Sequence, residues 1–255
     1  MRIFETHAHY DDEWFDEDRD ELINKMCANG ISPIVNIGCS MENSRHIIEM
    51  IKTYDFIYGT VGVHPSDIRN LTETDMEELK QMSVDDKILA IGEIGLDYHY
   101  DDVDKEKQKY WFIRQLYVAK DVDLPVVIHS RDAAKDTLDI IKSEHANATG
   151  GVIHCFSYGK ELAREYLNMG YYIGVGGVVT FKNANKLKEV VEYSPLESIV
   201  LETDSPYLAP EPFRGKRNCS LYLTHIAEQI AKIKQVPVEK VYDTTYKNAE
   251  MLYRI

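Results

Sequence analysis

The stretch IFETHAH, residues 3–9, joins a short strand-forming run to two histidines. Residues 3–6 are mostly apolar or β-branched, and His7 and His9 follow directly. Side chains two positions apart on a strand share a face, with their Cα atoms about 7 Å apart, so two imidazoles at this spacing can converge on one ion. The same arrangement, a strand that ends on a side chain able to bind a metal, recurs along the chain and indicates its fold.

Short apolar runs alternate with helix-period segments from one end of the sequence to the other. The predicted strands are residues 3–6, 33–37, 58–63, 88–91, 126–129, 152–154, 172–175 and 199–201. The predicted helices are residues 15–28, 44–52, 74–81, 104–120, 133–142, 160–168, 182–191, 221–233 and 238–253. Several strands are apolar at consecutive positions, as parallel strands buried on both faces are. Eight β-then-α units predict an α/β fold, a (β/α)8 TIM barrel, with a doubly wound sheet as the rival.

The composition is that of a globular protein, with 44% hydrophobic and 28% charged residues. A chain of 255 residues is long enough to bury one large core. The sequence contains no Pro/Gly/Ser linker, no internal repeat and no low-complexity tract. We therefore expect residues 1–255 to form a single domain.

The charge balance excludes one class of nucleic-acid protein. Lys and Arg total 29 against 43 Asp and Glu, a net charge of −14, so a protein that coats nucleic acid through a broad basic face is excluded. No apolar run approaches the about 18 residues of a membrane span, and no signal-peptide apolar region precedes Glu5. The four cysteines form no Cys-x-x-Cys pair, which fits reduced thiols. We expect a cytoplasmic protein without membrane association, and nothing in the sequence implies a stable protein partner.

Further side chains able to bind a metal stand at the ends of predicted strands. They are Glu93 after strand four, His129 and His154 at the ends of strands five and six, and Asp204 after strand eight. Active sites of (β/α)8 barrels lie at these carboxyl ends, where the four residues would meet the two N-terminal histidines. Four histidines and two carboxylates are too many ligands for one tetrahedral ion but suit two ions that share a carboxylate. The pattern predicts a binuclear centre of net positive charge, which favours an anionic substrate such as a phosphate ester.

Longer motifs around these residues resemble those of one family. They are THAHYDD at residues 6–12, GVHP at 62–65, IGEIGLDY at 91–98, HSRDA at 129–133, HCF at 154–156, LETDSPYLAP at 201–210 and RGKRN at 214–218. They span nearly the whole chain in this order. With these motifs the chain resembles the TatD family of metal-dependent deoxyribonucleases, a (β/α)8-barrel branch of the amidohydrolase superfamily.

The resemblance implies a role for each candidate ligand. One divalent ion would be held by His7, His9, Glu93 and Asp204, and a second by Glu93, His129 and His154, with Glu93 bridging. Asp204 and Glu93 would be the catalytic residues, and Asp204 would be the general base for the attacking water. Four imidazoles favour Zn, Mn, Co or Ni by ligand softness, whereas the resemblance implies Mg, so the sequence leaves the identity of the ions open.

Three further residues are candidates for substrate binding. The resemblance places His64 against the substrate phosphate, and the guanidinium groups of Arg131 and Arg214 can fork onto phosphate oxygens. Asp97 is a candidate for orienting Glu93 or contacting substrate, with a simple turn residue as the alternative.

Two positions depart from the family pattern. Phe213 stands where many relatives carry a histidine, and Cys219-Ser220 replaces an acidic or small residue followed by proline. Both lie in the loop after strand eight, so we expect them to shape the substrate pocket rather than the metal chemistry.

The leading expectation is an enzyme that hydrolyses phosphodiester bonds of DNA, at exposed ends, with two divalent ions. One alternative is a binuclear hydrolase of another ester, such as the bond between an amino acid and tRNA, because one fold hosts many reactions. A non-catalytic metal-binding protein is the other alternative.

Overall fold

The computed structural model describes residues 2–100, 102 and 104–255. The described residues form the strands β1 Ile3–Ala8, β2 Ile31–Asn36, β3 Ile57–Val61, β4 Ile88–Asp97, β5 Val126–Arg131, β6 Gly151–Ile153, β7 Tyr172–Val175 and β8 Ile199–Leu201. Their α-helices are α1 Arg19–Ala28, α2 Met41–Thr53, α3 Glu73–Met82, α4 Lys105–Val122, α5 Ala134–Ser143, α6 Lys160–Asn168, α7 Asn185–Tyr193, α8 Leu223–Lys234 and α9 Val238–Tyr253. This alternation confirms the predicted α/β class and the (β/α)8 TIM barrel.

The barrel brings the two ends of the sequence together. Neighbouring strands pair in parallel in the order β1 to β8. The ring closes where Ala8 forms a parallel bridge with Ser205, and the His9 amide donates to the Ser205 carbonyl at 2.8 Å. The Asp204 amide in turn donates to the His7 carbonyl at 3.0 Å. Closure therefore places the first and the last candidate ligands side by side.

The strands are buried because helices cover their outer face and side chains fill the barrel. All ten residues of β4 are buried, and burying one large apolar side chain contributes about 1.5–3 kcal/mol. Phe4 on β1 stacks on Tyr253 of α9 with ring centres 5.9 Å apart, and the Tyr253 hydroxyl donates to the Thr6 carbonyl at 2.8 Å. Since Phe4 precedes His7 on β1, α9 covers the end of the barrel opposite the histidines.

The fourth strand is longer than its apolar run predicts. β4 continues to Asp97 because, after a register shift between Ile91 and Ile94, it pairs with β5 from Ile94 as far as the pair Asp97 and Arg131. Glu93 therefore lies inside a strand, at this irregularity, and not after the strand.

The first helix is shorter than its sequence period predicts. It begins at Arg19, after a 3-10 turn at Glu13–Phe15. Asp12 caps that turn by accepting a hydrogen bond from the Trp14 amide at 2.9 Å. None of the helices in the described part of the chain is both long enough and apolar enough to cross a membrane.

Candidate metal centre

The six candidate ligands meet at the carboxyl ends of the strands, around a cavity of about 570 Å³. Those that line the cavity are His9, Glu93, His129, His154 and Asp204. His7 lies beneath them and is only 1% exposed. The barrel thus collects at one end residues that are distributed along the whole sequence.

One group of ligand atoms surrounds His7. The Nε2 atom of His7 lies 3.2 Å from His9 Nε2, 3.4 Å from Glu93 Oε2 and 3.6 Å from Asp204 Oδ1. Asp204 Oδ1 lies 3.3 Å from His9 Nε2. Imidazole nitrogens and carboxylate oxygens that converge on one point are able to hold a divalent ion such as zinc.

A second group surrounds the other oxygen of Glu93. Glu93 Oε1 lies 2.7 Å from His129 Nδ1 and 3.9 Å from His154 Nε2. The ring of His154 stacks on that of His7 with their centres 3.5 Å apart, so the two groups are in contact. The two oxygens of the single Glu93 carboxylate therefore face different histidines.

The electrostatics of the cavity fit a positive ion. Burial opposes protonation of His129, but its hydrogen bonds to Asp97 and Glu93 raise its pKa to about 9. Burial likewise opposes protonation of His154, and the charges of Glu202 and Glu93 raise its pKa to about 9. The carboxylates thus draw positive charge toward the imidazoles, and divalent ions would supply that charge while the histidines stay neutral.

Two carboxylates that the sequence did not assign to histidines orient them. Asp97 Oδ2 lies 3.3 Å from His129 Nε2, and Glu202 Oε2 lies 3.2 Å from His154 Nδ1. Burial raises the pKa of Asp97, but the hydrogen bond to His129 outweighs it and lowers the value to about 2. A carboxylate that accepts the proton of one ring nitrogen leaves the other nitrogen free to bind a metal.

Room for Glu202 comes from a glycine on the neighbouring strand. A Cβ atom at Gly174 of β7 would lie 2.3 Å from Glu202 Oε2. A glycine inside the apolar run YIGV, together with an acidic residue directly after the next strand, is the sequence signal for this contact.

Glu5 joins β1 to the segment after β8 beneath the candidate ligands. Its Oε1 accepts hydrogen bonds from the amides of His7, at 3.1 Å, and Thr203, at 2.9 Å, and its Oε2 accepts one from the Thr203 hydroxyl at 2.7 Å. Glu5 is fully buried, and burial raises its pKa to about 7. Sequence reasoning gave this residue no role, although a carboxylate inside an otherwise apolar strand was the available signal.

Two of the three substrate-binding candidates line the same cavity as the ligands. His64 Nε2 lies 3.9 Å from Glu93 Oε1, and Arg131 is exposed at the end of β5. Burial lowers the pKa of His64 to about 4. Because His64 Nδ1 accepts a hydrogen bond from the Ser66 amide at 3.2 Å, the remaining proton lies on Nε2.

The third candidate, Arg214, lies in an adjoining cleft. Its guanidinium carbon stands 4.4 Å from the centre of the Phe181 ring. The residues that depart from the family pattern line neither cleft: Phe213 stacks on Tyr222 with ring centres 4.1 Å apart, and the Ser220 hydroxyl lies 2.7 Å from that of Tyr10. Both side chains are used in packing, so any influence of these departures on the substrate pocket would be indirect, and the expectation stays a prediction.

Comparison with known proteins supports a metal-dependent hydrolase. The family described as TatD related DNase matches residues 4–254. The chain is 46% identical over 253 residues to the uncharacterized metal-dependent hydrolase YabD of Bacillus subtilis, covering 99% of each protein. It is 34% identical to the uncharacterized metal-dependent hydrolase YcfH of Escherichia coli, covering 100% of this chain and 97% of that protein.

A solved structure agrees with these relatives. The crystal structure of YjjV, a TatD homologue from Escherichia coli, matches with a TM-score of 0.94 at 29% identity, over 100% of this chain and 98% of that one. The agreement extends over the whole barrel, including the strands that carry the candidate ligands. The chain belongs to the TatD family of metal-dependent hydrolases.

Proposed function

We propose that this protein hydrolyses phosphodiester bonds of DNA with a water activated between two divalent ions. The observation that carries the proposal is the placement of Glu93, whose Oε2 lies 3.4 Å from His7 Nε2 while its Oε1 lies 2.7 Å from His129 Nδ1. A carboxylate that faces two groups of histidines through its two oxygens is suited to bridge two ions. The name of the matching family, TatD related DNase, supports DNA as the substrate.

The ligands divide between two ions in this proposal. His7, His9, Glu93 and Asp204 hold one, and Glu93, His129 and His154 hold the other. When bound, two divalent ions supply a water of lowered pKa and neutralise the charge that develops on the phosphoryl group. Zn, Mn, Co, Ni and Mg are the candidates, and the imidazole-rich donor set favours the first four.

Asp204 is the proposed general base. Burial raises its pKa, but the hydrogen bond with His9 and the nearby imidazoles outweigh burial and lower it, so the carboxylate is ionised and able to accept a proton. Its contacts with His7, His9 and His154 all use Oδ1, which leaves Oδ2 to receive the proton of the attacking water. Its backbone has a φ of +58°, a strained conformation of the kind found at functional sites.

Arg131 and His64 are the proposed phosphate-binding groups. Arg131 is the one Arg or Lys that lines the cavity in the part of the chain the structure describes, and its guanidinium can donate two hydrogen bonds to a phosphate. His64 is neutral at physiological pH and presents an Nε2–H donor. In this proposal both groups donate to the phosphodiester, and the six ligands hold the ions.

A substrate panel tests the proposal. Protein freed of metal and reloaded separately with Zn, Mn, Co, Ni or Mg is given single-stranded DNA, duplex DNA, RNA, aminoacyl-tRNA and simple phosphoesters. We expect metal-dependent cleavage of DNA that is lost in Asp204→Asn. Turnover of aminoacyl-tRNA alone would replace DNA by another ester, and metal binding without turnover of any substrate would leave a metal-binding protein. DNA cleavage that persists in Asp204→Asn would refute the mechanism.

A further inference from the structure

An aromatic cleft of about 470 Å³ adjoins the metal centre. Trp14 and Tyr207 line it with their rings 55% and 48% exposed. Their ring centres are 6.3 Å apart. Large aromatic rings exposed together are uncommon on a protein surface and mark sites of interaction.

One carboxylate joins the backbone of Trp14 to the ring of Tyr207. Asp12 Oδ1 accepts the hydrogen bond of the Trp14 amide at 2.9 Å, and its Oδ2 accepts that of the Tyr207 hydroxyl at 2.8 Å. Burial and the Asp12 charge raise the pKa of Tyr207 to about 12, which keeps its hydroxyl a donor. Arg217 adds a hydrogen bond from Nη1 to the Trp14 carbonyl at 2.7 Å. The backbone of Trp14 and the ring of Tyr207 are therefore positioned before any ligand arrives.

The loop behind Tyr207 is equally well held. The Asn218 side-chain amide donates to the carbonyls of Tyr207, at 2.7 Å, and Thr203, at 2.9 Å. A Cβ atom at Gly177 would lie 2.1 Å from the Leu208 carbonyl oxygen, so a glycine there lets the loop pack closely.

The charge of the cleft fits an anion. Arg214 and Lys216 line it, and both are exposed. Within the described residues neither is seen in an ion pair, whereas the neighbouring Asp18 is neutralised by Arg217 at 2.6 Å. Sites that bind single-stranded nucleic acid commonly combine exposed aromatic rings with cationic side chains. In such sites the bases stack on the rings and the cations contact the phosphate backbone.

The cleft is continuous with the metal centre. Tyr207 lines both cavities, and its ring centre lies 6.4 Å from that of the candidate ligand His9. A polynucleotide whose phosphate reaches the metal centre therefore passes the aromatic rings with its next nucleotide.

We propose that Trp14 and Tyr207 bind an unstacked base of the DNA substrate while Arg214 and Lys216 bind its phosphate. The inference rests on the proposed phosphodiesterase function. The site takes an unpaired nucleotide next to the scissile bond, because a base held in a duplex has no free face for the rings.

Binding of two short oligonucleotides to the metal-loaded protein tests the inference. The first is a phosphorothioate pentathymidylate, which resists hydrolysis, and the second has the same backbone with abasic residues. We expect the pentathymidylate to bind about 5- to 150-fold more tightly, the range that base–aromatic stacking of about 1–3 kcal/mol gives. It should also quench tryptophan emission. The protein has two tryptophans, and Trp111 is buried, so Trp14→Leu should abolish the quenching.

Variants separate the parts of the site. Tyr207→Ala and Trp14→Leu should weaken binding of the pentathymidylate, measured by anisotropy of a labelled oligonucleotide, and leave the abasic backbone unaffected. Arg214→Ala should weaken both and reduce their salt dependence. Tyr193→Ala, which removes a 47% exposed ring on α7, is the matched control and should change neither. Thermal unfolding of each variant verifies its fold.

The outcomes distinguish this inference from the proposed function. Equal affinity for the two oligonucleotides, or wild-type binding by both aromatic variants, would overturn the base-binding site even if DNA is hydrolysed. Base-dependent quenching in a protein that hydrolyses no DNA would support the site and refute the proposed reaction. Failure of both oligonucleotides to bind would overturn the inference.

Discussion

Replacing Glu202 by glutamine tests how the protein prepares His154 for an ion. The Glu202 carboxylate is 1% exposed, its Oε2 lies 3.2 Å from His154 Nδ1, and its Oε1 accepts the hydrogen bond of the Cys155 amide at 2.6 Å. Because a carboxylate accepts hydrogen bonds, it favours a proton on Nδ1 and leaves Nε2, which faces Glu93 and Asp204, as the nitrogen that binds an ion. Glu202→Gln preserves the size of the side chain and the bond to Cys155, but it turns an N–H donor toward Nδ1.

The expected cost follows from the change in this one hydrogen bond. An N–H group opposite Nδ1 favours the tautomer that carries its proton on Nε2, where the proton competes with the ion. A hydrogen bond to a charged group contributes about 1.5–3 kcal/mol and a neutral one about 0.5–1.5 kcal/mol. The difference of about 1–1.5 kcal/mol corresponds to a roughly tenfold weaker affinity for the ion held by His154. That lies at the lower end of the 10- to 100-fold losses typical of such supporting residues.

Competition against a chromogenic chelator measures this affinity. Metal-free wild-type and Glu202→Gln proteins are titrated with Zn or Co, and the two binding steps are fitted separately. We expect the step that involves His154 to weaken and the other to remain unchanged. Glu189→Gln on the exposed surface of α7 removes the same charge and is the control. Unaltered affinity in both steps, in a variant that unfolds at the wild-type temperature without metal, would show that Glu202 does not set the His154 tautomer.

Three other changes test neighbouring parts of the centre. Gly174→Ala places a Cβ atom 2.3 Å from Glu202 Oε2. We therefore expect the free energy of unfolding in urea to fall by about 1–3 kcal/mol and metal binding to weaken. The control Gly176→Ala, whose Cβ atom has its nearest contact at 3.4 Å, should behave almost like the wild type. Glu5→Gln should flatten the pH dependence of stability in the metal-free protein. Burial raises the pKa of Glu5 from 4.5 to about 7, so between these pH values the folded state retains a proton that the unfolded chain releases. The unfolding free energy of the wild type should therefore fall by up to about 3 kcal/mol as the pH rises from 4.5 to about 7. An equal dependence of unfolding free energy on pH in the variant would remove Glu5 as the cause. Arg131→Ala should raise the KM for a dinucleotide roughly tenfold or more through loss of a charge-assisted hydrogen bond without changing metal affinity, and unchanged kinetics would remove Arg131 from the site.

The barrel and the assembly of the six candidate ligands were predictable because both depend on local patterns. A strand-forming run shows where a strand ends, and parallel strands of a barrel present their carboxyl ends at one rim. His129 and His154 were placed there from the runs PVVIH and GVIH alone. Their division between two ions came from the family resemblance, and it stays a prediction.

The carboxylates behind the histidines were not predictable in the same way. Asp97 reaches His129 because β4 resumes its pairing with β5 after a register shift and continues to Asp97 and Arg131, well past the apolar run of β4. Glu202 reaches His154 across two strand positions, where Gly174 on the intervening strand leaves room. These contacts depend on the relative register of separate strands, which no single segment specifies.

Arg214 shows the corresponding difficulty in a loop. Its proximity to the last strand in sequence suggested the metal cavity, but the loop turns it onto Phe181 in the adjoining cleft. The path of that loop is set by Asn218 and by the close approach of residue 208 to Gly177, contacts made by residues distant in sequence.

The placement of charge is compatible with the proposed action of a chain of net charge −14 on a polyanion. Glu93 lines the cavity and Glu202 is buried beneath it, where a histidine contacts the first and a backbone amide the second. Their negative charge is directed at the ligand positions, so bound divalent ions would convert the most acidic part of the cleft into its most positive part. Besides the ions, the cationic side chains that line the two clefts in the described part of the chain are Arg131, Arg214 and Lys216. Under the proposed function, attraction of DNA would thus depend on the ions, and the ion-free protein would bind DNA more weakly than the loaded protein.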